Sequence, residues 1–262
     1  MAYRGDLIAI GLNSDIEILD TITGIRTPVL LGHQEISFLT FSLDGTLLLS
    51  GDHLSIVNLW DVQTGGSIKT FGNNRTPFSA ASISPDNAMI ALGCEDGKIY
   101  LSDVRTGKLH PMMSSGTRIY SITFSPIDPR CFLWSSFRTV HQWGRDGHQI
   151  GASYHDTDIS WVEDLAYLLD GTRFVFCGRK VAVVWDSESG EQVVKLHSSG
   201  VSDLLRCCFL PDGKFVACGS GDYIYIWNIT ILGAPLVKNL AGHSDCVSFL
   251  TFSSSLISGS RD

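Results

Sequence analysis

Histidine, serine and aspartate recur in this chain in an order that could do nucleophilic chemistry: His33 and Ser50 near one end, His243, Ser258 and Asp262 near the other. These are the residue types of a hydrolytic triad. A triad, however, requires one activated serine exposed in a pocket beside its base. Here the set returns at a fixed long spacing, which fits packing positions better than a single active centre. The sequence has no G-x-S-x-G elbow, phosphate-binding glycine loop, H-E-x-x-H helix or dinucleotide glycine set. Glu95-Asp96 is an isolated acidic pair flanked by Gly93 and Gly97, and reads as a solvated turn. His53, His110, His141, His148 and His155 share no common register. Seven cysteines are present without C-x-x-C spacing. They read as small buried hydrophobes in a reducing compartment, and zinc ligation is unsupported. No cofactor is expected.

The framework that carries these residues is set by a ruler. Asp44, Asp86, Asp128, Asp170 and Asp212 follow one another at intervals of 42 residues. Each lies in a turn between two apolar runs, as in Ser42-Leu-Asp-Gly45 and Leu210-Pro-Asp-Gly213. A fixed period of this length marks an array of one supersecondary unit. Within a unit the runs are short, apolar and rich in β-branched and aromatic residues: Ile36–Phe41, Thr46–Ser50, Ser55–Trp60 and Ser67–Phe71. Gly, Pro and Asp bound them, so the unit predicts four short strands. No helical periodicity competes. One such unit cannot cover both faces of its sheet, so neighbours must stack on it. Radial stacking gives a propeller, which leaves only short edges.

At this point the chain resembles the WD40-repeat β-propeller family. Trp60-Asp61 and Trp185-Asp186 match its signature dipeptide, and Gly32-His33 and Gly242-His243 match its other signature, 210 residues apart. The position after the signature tryptophan runs Asp20, Asp61, Asp103, Gly144, Asp186, Asn228, in steps of 41 or 42. The fold class expected is therefore all-β, a WD40-type β-propeller of about seven blade positions with incomplete first and last blades. Six closed blades are the alternative. One domain is expected over 1–262, with repeats near 1–28, 29–66, 67–107, 108–147, 148–191, 192–234 and 235–262. The first strand of the N-terminal unit is missing by pattern, and the C-terminal unit stops at Asp262. The chain is thus expected to be a segment or subunit of a longer protein.

The resemblance implies a buried His–Ser–Asp–Trp network in a well-kept repeat. His33, Ser50 and Trp60 fit it, but Leu54 stands where its aspartate is expected. His243, Ser258 and Asp262 fit it without a tryptophan. Trp227 has Cys218 in place of the serine. No repeat then holds the full network, apolar packing must hold most of the ring, and modest stability is expected. His33, Trp60, Asp61, Trp185, Asp186, Trp227, His243 and Asp262 are read as structural.

The resemblance also implies a function. The position just before each first strand opens onto the narrow upper face of such propellers. It is occupied here by Glu35, Pro77, Arg118, Trp161, Gly200 and Cys246. Aromatic residues and arginine dominate interface energetics, so Glu35, Arg118 and Trp161 are the candidate contact residues. The reading is a non-catalytic protein–protein interaction scaffold that binds other proteins or peptides. The alternative is a propeller hydrolase with its site at the channel mouth. Loosely kept repeats of this kind are most similar to the WD40 arrays of fungal NACHT-type proteins. Nucleic acid is disfavoured by a formal net charge of −8 and the absence of any basic run. No stretch is long and apolar enough for a membrane span, and no signal region precedes the repeats. The cytoplasm is the expected compartment, with the nucleus as the alternative.

Overall fold

A computed structural model describes residues 2–12, 14–26, 30–72, 76–198, 202–252 and 256–260. Every regular element among them is a strand, and no helix is long and apolar enough to cross a membrane. The strands form six four-stranded antiparallel sheets and one of two strands. We number them as blades 1–7. Blade 1 holds β1 (Ala2–Arg4), β2 (Leu7–Leu12), β3 (Asp15–Asp20) and β4 (Leu30–Leu31). Blade 2 holds β5 (Ile36–Phe41), β6 (Leu47–Asp52), β7 (Val57–Asp61) and β8 (Ser67–Phe71). Blade 3 holds β9 (Phe78–Ile83), β10 (Met89–Cys94), β11 (Lys98–Asp103) and β12 (Leu109–Ser114). Blade 4 holds β13 (Ile119–Phe124), β14 (Cys131–Ser136), β15 (Thr139–Gly144) and β16 (Tyr154–His155). Blade 5 holds β17 (Asp164–Tyr167), β18 (Arg173–Gly178), β19 (Val181–Asp186) and β20 (Gln192–His197). Blade 6 holds β21 (Leu204–Phe209), β22 (Phe215–Ser220), β23 (Tyr223–Asn228) and β24 (Leu236–Ala241). Blade 7 holds β25 (Phe249–Phe252) and β26 (Leu256–Gly259).

The first strands surround one axial channel. A cavity of about 310 Å³ is lined together by Arg4, Thr40, Ser82, Thr123, Ala166 and Thr251, one residue from each of six first strands. Arg206, at the start of the remaining first strand, enters the channel nearer its other end. This is the arrangement of a WD40-type propeller with seven blade positions. The second strands sit between blades. Leu47–Asp52 is buried throughout, and β10, β14, β18 and β22 are buried from their second residue onward. That is why these segments read as unbroken apolar runs rather than alternating ones. The clusters they build are inter-blade: Leu49, Leu59, Phe78, Ile90 and Leu92 pack blades 2 and 3 together.

The ruler aspartates clamp turns. Asp44 Oδ1 accepts hydrogen bonds from the Ser42 hydroxyl and from both the backbone N–H and the hydroxyl of Thr46. Asp86 does the same with Ser84 and Ala88, Asp170 with Thr172, and Asp212 with the Lys214 N–H. The second series, Asp61, Asp103 and Asp186, caps the next turn by accepting the N–H three residues on. Those hydrogen bonds, from Thr64, Thr106 and Ser189, hold the three carboxylates below their usual range. A side chain that bonds its own turn does this wherever the turn recurs.

One expectation about the ends changes, and the alternative closure drops out. Blade 1 has its first strand: Ala2–Arg4 pairs with β2, Ala2 opposite Ala9 and Arg4 opposite Leu7, across a turn in which Gly5 has φ of +62°. Three residues carry too little pattern to be read as a strand. The closed six-blade alternative also fails, because Phe249–Phe252 pairs with its own β26. The inner edge of β2, where it would have had to add, is already taken by β1. Blade 7 has two strands among the described residues.

Candidate functional site: the upper face and channel mouth

The hydrogen-bonded network of blade 2 is complete, contrary to the sequence expectation. His33 Nε2 lies 2.6 Å from Ser50 Oγ, and Nδ1 lies 3.1 Å from Asp52 Oδ2. The Trp60 indole N–H donates to Ser50 Oγ at 2.7 Å. The aspartate is Asp52, not a residue at the place of Leu54. It ends β6, and the loop wraps around it: the N–H groups of Leu54 and Ile56 both donate to Oδ1. Ser55, at φ of +67°, turns the chain back to make that possible. All groups are satisfied when the Nδ1 hydrogen points to Asp52 and the serine hydroxyl donates to Nε2. His33, Ser50 and Asp52 are buried, so the serine has no access to a substrate. The residues of a triad are here a structural bolt.

Elsewhere the network decays in a way the pairing explains. Trp60 lies opposite Leu48, two residues before Ser50. The same step in blade 4 runs from Phe132, opposite Trp143, to Trp134; in blade 5 it runs from Phe174, opposite Trp185, to Phe176. Aromatic rings thus occupy the serine position. The indole N–H groups of Trp134, Trp143 and Trp185 are buried without a hydrogen-bond partner. Stacking fills the space instead, with ring centroids of Phe176 and Trp185 at 6.4 Å and a 15° interplanar angle. In blade 7, His243 Nε2 meets Ser258 Oγ at 2.8 Å; Asp262 lies outside the described residues.

The position before each first strand is occupied in the structure by Glu35, Pro77, Arg118, Trp161, Asp203 and Cys246. Asp203 replaces the Gly200 of the sequence alignment, because Leu204 opposite Ser220 is the counterpart of Ile36 opposite Asp52. Gly200 itself lies outside the described residues. Glu35, Arg118 and Trp161 are all exposed. Arg118 pairs with Glu95 at 3.2 Å and lies 5.7 Å from the Tyr120 ring centroid. Trp161 is 41% exposed and stands against Phe137, itself 46% exposed, with centroids 5.8 Å apart. No hydrogen bond, ion pair or ring contact joins any two of the three candidates among the described residues.

The channel mouth holds a charged group that sequence reasoning missed. Glu163, Asp164 and Arg206 line it with Tyr120 and Ser121. Asp164 Oδ2 accepts the Cys207 N–H at 3.1 Å, and the Ser121 hydroxyl lies 3.5 Å from Oδ1. Arg206 donates through Nε to the Ser248 carbonyl at 2.8 Å and through Nη1 to its own neighbour, Leu205. Burial raises the Asp164 pKa despite the opposing Arg206 charge, and burial also raises that of Glu163. The signal was available: counted by register, Asp164 and Arg206 share the first-strand position of Phe38, Ala80, Ser121 and Phe249. Two charges where other blades place small or apolar groups stand out once the strands are aligned. Among the described residues no three His, Cys, Asp or Glu side chains converge as metal ligands.

The family described as "WD domain, G-beta repeat" matches residues 24–61 and 190–228. Two of its repeats thus match that family's model, and the fold around them is that of a WD40-type propeller. It is 28% identical over 255 residues to the WD repeat-containing protein WDS homolog of Arabidopsis thaliana, covering 90% of this chain and 46% of that protein. It is 24% identical to the U3 small nucleolar RNA-associated protein 15 homolog of Xenopus laevis, over 79% of this chain and 40% of that one. A third relative, the eukaryotic translation initiation factor 3 subunit I of Aspergillus oryzae, is 28% identical over 68% of this chain and 57% of its own length. The chain spans about half the length of the relatives it matches.

Proposed function

We propose that this propeller is a non-catalytic platform that binds other proteins or peptides across its upper face, with Trp161, Arg118 and Glu35 as contact residues. The observation that carries this reading is the exposed Trp161–Phe137 pair. A large aromatic left 41% open on a face built of rigid loops has the composition of an interface anchor. Two relatives carry names that speak of assemblies, a translation initiation factor subunit and a small nucleolar RNA-associated protein, and a scaffold role fits both. The burial of His33, Ser50 and Asp52 argues against hydrolysis through that set. The expected compartment is the cytoplasm or nucleus, to be checked by localising a tagged chain.

Recovery of bound proteins from native lysate with wild type and a Trp161→Ala/Arg118→Ala variant tests the face. Loss of specific partners in the variant is expected. Unchanged recovery, or turnover in a broad hydrolase screen that survives purification, would overturn the reading.

A further inference from the structure

Phe137 and Trp161 come from different blades yet form one patch, and three loops fix it. The Phe137 carbonyl accepts the Val162 N–H at 2.9 Å. Gly178 packs so closely that a Cβ there would fall 2.0 Å from the Trp161 carbonyl oxygen. Arg179 Nη1 donates to Ser160 Oγ at 3.2 Å, and the Arg179 carbonyl accepts the Leu204 N–H. The aromatic wedge is therefore held ready rather than formed on binding, which lowers the ordering cost of association.

The charge around the wedge is opposite to that of the chain. Arg138 follows Phe137, and Arg179 and Lys180 form the adjoining loop; all three are exposed. Among the described residues none of them has a carboxylate within ion-pair distance. Two nearby acids are engaged elsewhere. Asp156 and Asp158 are both held by Lys195, at 2.7 and 2.6 Å. Glu163 lines the channel with Arg206 and reaches the Trp161 side chain, whose hydrogen bond opposes the rise that burial gives its pKa; Asp203 is exposed beside Leu204. The Arg138 and Arg179-Lys180 loops join second to third strands, outward of that rim. In a protein of formal net charge −8, three unpaired cations flanking an exposed aromatic pair are a complementary surface for negative charge.

Resting on the docking-platform reading, we infer that this patch binds an acidic, extended protein segment. An aromatic or aliphatic side chain of the segment packs against Phe137 and Trp161. Its Asp or Glu carboxylates meet Arg138, Arg179 and Lys180, and it lies over the outer loops of blades 4 and 5 without entering the channel.

Selection from a random short-peptide display library on the purified chain tests this. The selected peptides are then measured against wild type, Trp161→Ala and Arg138→Ser/Arg179→Ser, with the thermal midpoint of each variant as a folding control. The expected result is enrichment of sequences pairing acidic with large apolar residues. Their affinity should fall about five- to tenfold in the double charge variant and should weaken as salt is raised. Enrichment of neutral or basic peptides that still require Trp161 would overturn the acidic partner while leaving the platform reading intact. Peptides indifferent to Trp161, Arg138 and Arg179, or no enrichment at all, would overturn the patch itself. Binding to phosphatidylserine-rich vesicles that vanishes in the double variant, with no peptide enriched, would assign the patch to a lipid surface and overturn the protein partner.

Discussion

Replacing Ser50 by Ala removes one oxygen from the centre of the blade 2 bolt. That oxygen accepts the Trp60 indole N–H at 2.7 Å and donates to His33 Nε2 at 2.6 Å. Ser50 is fully buried and Trp60 and His33 nearly so, so water cannot replace it without rearrangement. Each buried group left without a partner costs about 1–3 kcal/mol. Asn58 Nδ2, 3.3 Å from His33 Nε2, remains as a weak substitute donor, which places the histidine at the low end. The loss should total about 2–4 kcal/mol. At about 2–4 °C per kcal/mol for a chain of this size, the thermal midpoint falls about 4–16 °C. Each blade of a repeat array contacts only its neighbours, so hydrogen exchange should speed up first in β5–β8. Ser102→Ala is the control. Ser102 stands at the tryptophan position of blade 3, is equally buried, and makes one 3.3 Å bond to the Asp103 carbonyl; its loss should cost no more than about 1 kcal/mol. A Ser50→Ala midpoint within about 1 °C of wild type, with unchanged exchange in blade 2, would mean that the Ser50 oxygen does not hold the blade.

Further outcomes follow from other sites. Gly178→Ala should destabilise by about 1–3 kcal/mol and shift Trp161 fluorescence, since its Cβ would fall 2.0 Å from the Trp161 carbonyl oxygen. Among the cysteines, the exposed Cys246 should react with a thiol reagent in the folded state. Cys207 and Cys218 should react only on unfolding, because burial pushes their thiols up. Burial alone would raise the Asp44 pKa, but hydrogen bonds from Ser42, Thr46 and Asn87 outweigh it and lower the value to about 2. A depressed folded pKa gives stability above the ordinary carboxylate range that is lost as pH falls toward 2. Asp44→Asn should therefore flatten the acid limb of the stability profile. Asp164 has the opposite sign. Burial raises its folded pKa, so stability falls as pH rises from the ordinary carboxylate range up to that raised value. Asp164→Asn should raise the thermal midpoint at neutral pH and lose that advantage near pH 4, as read by melting curves across pH.

The order of elements was legible because its signals are local. A turn aspartate that bonds its own backbone needs no distant partner, so Asp44, Asp86, Asp170 and Asp212 announce the same turn wherever they fall. Buried second strands announce themselves by unbroken apolar composition, and the four-strand unit and propeller class followed from these. Three things were not legible. The strand Ala2–Arg4 exists only because β2 and the channel receive it. Asp52 completes the bolt because Ser55 takes a left-handed turn, a backbone choice a non-glycine residue rarely signals. The meeting of Phe137 with Trp161, and of Glu163 and Asp164 with Arg206, joins residues from separate blades. Period, strands and class of fold follow from neighbours along the chain and so were readable from residue order. Which side chains share a face came from the closing of the ring, which brings together groups whose separation in sequence carries no trace of their contact.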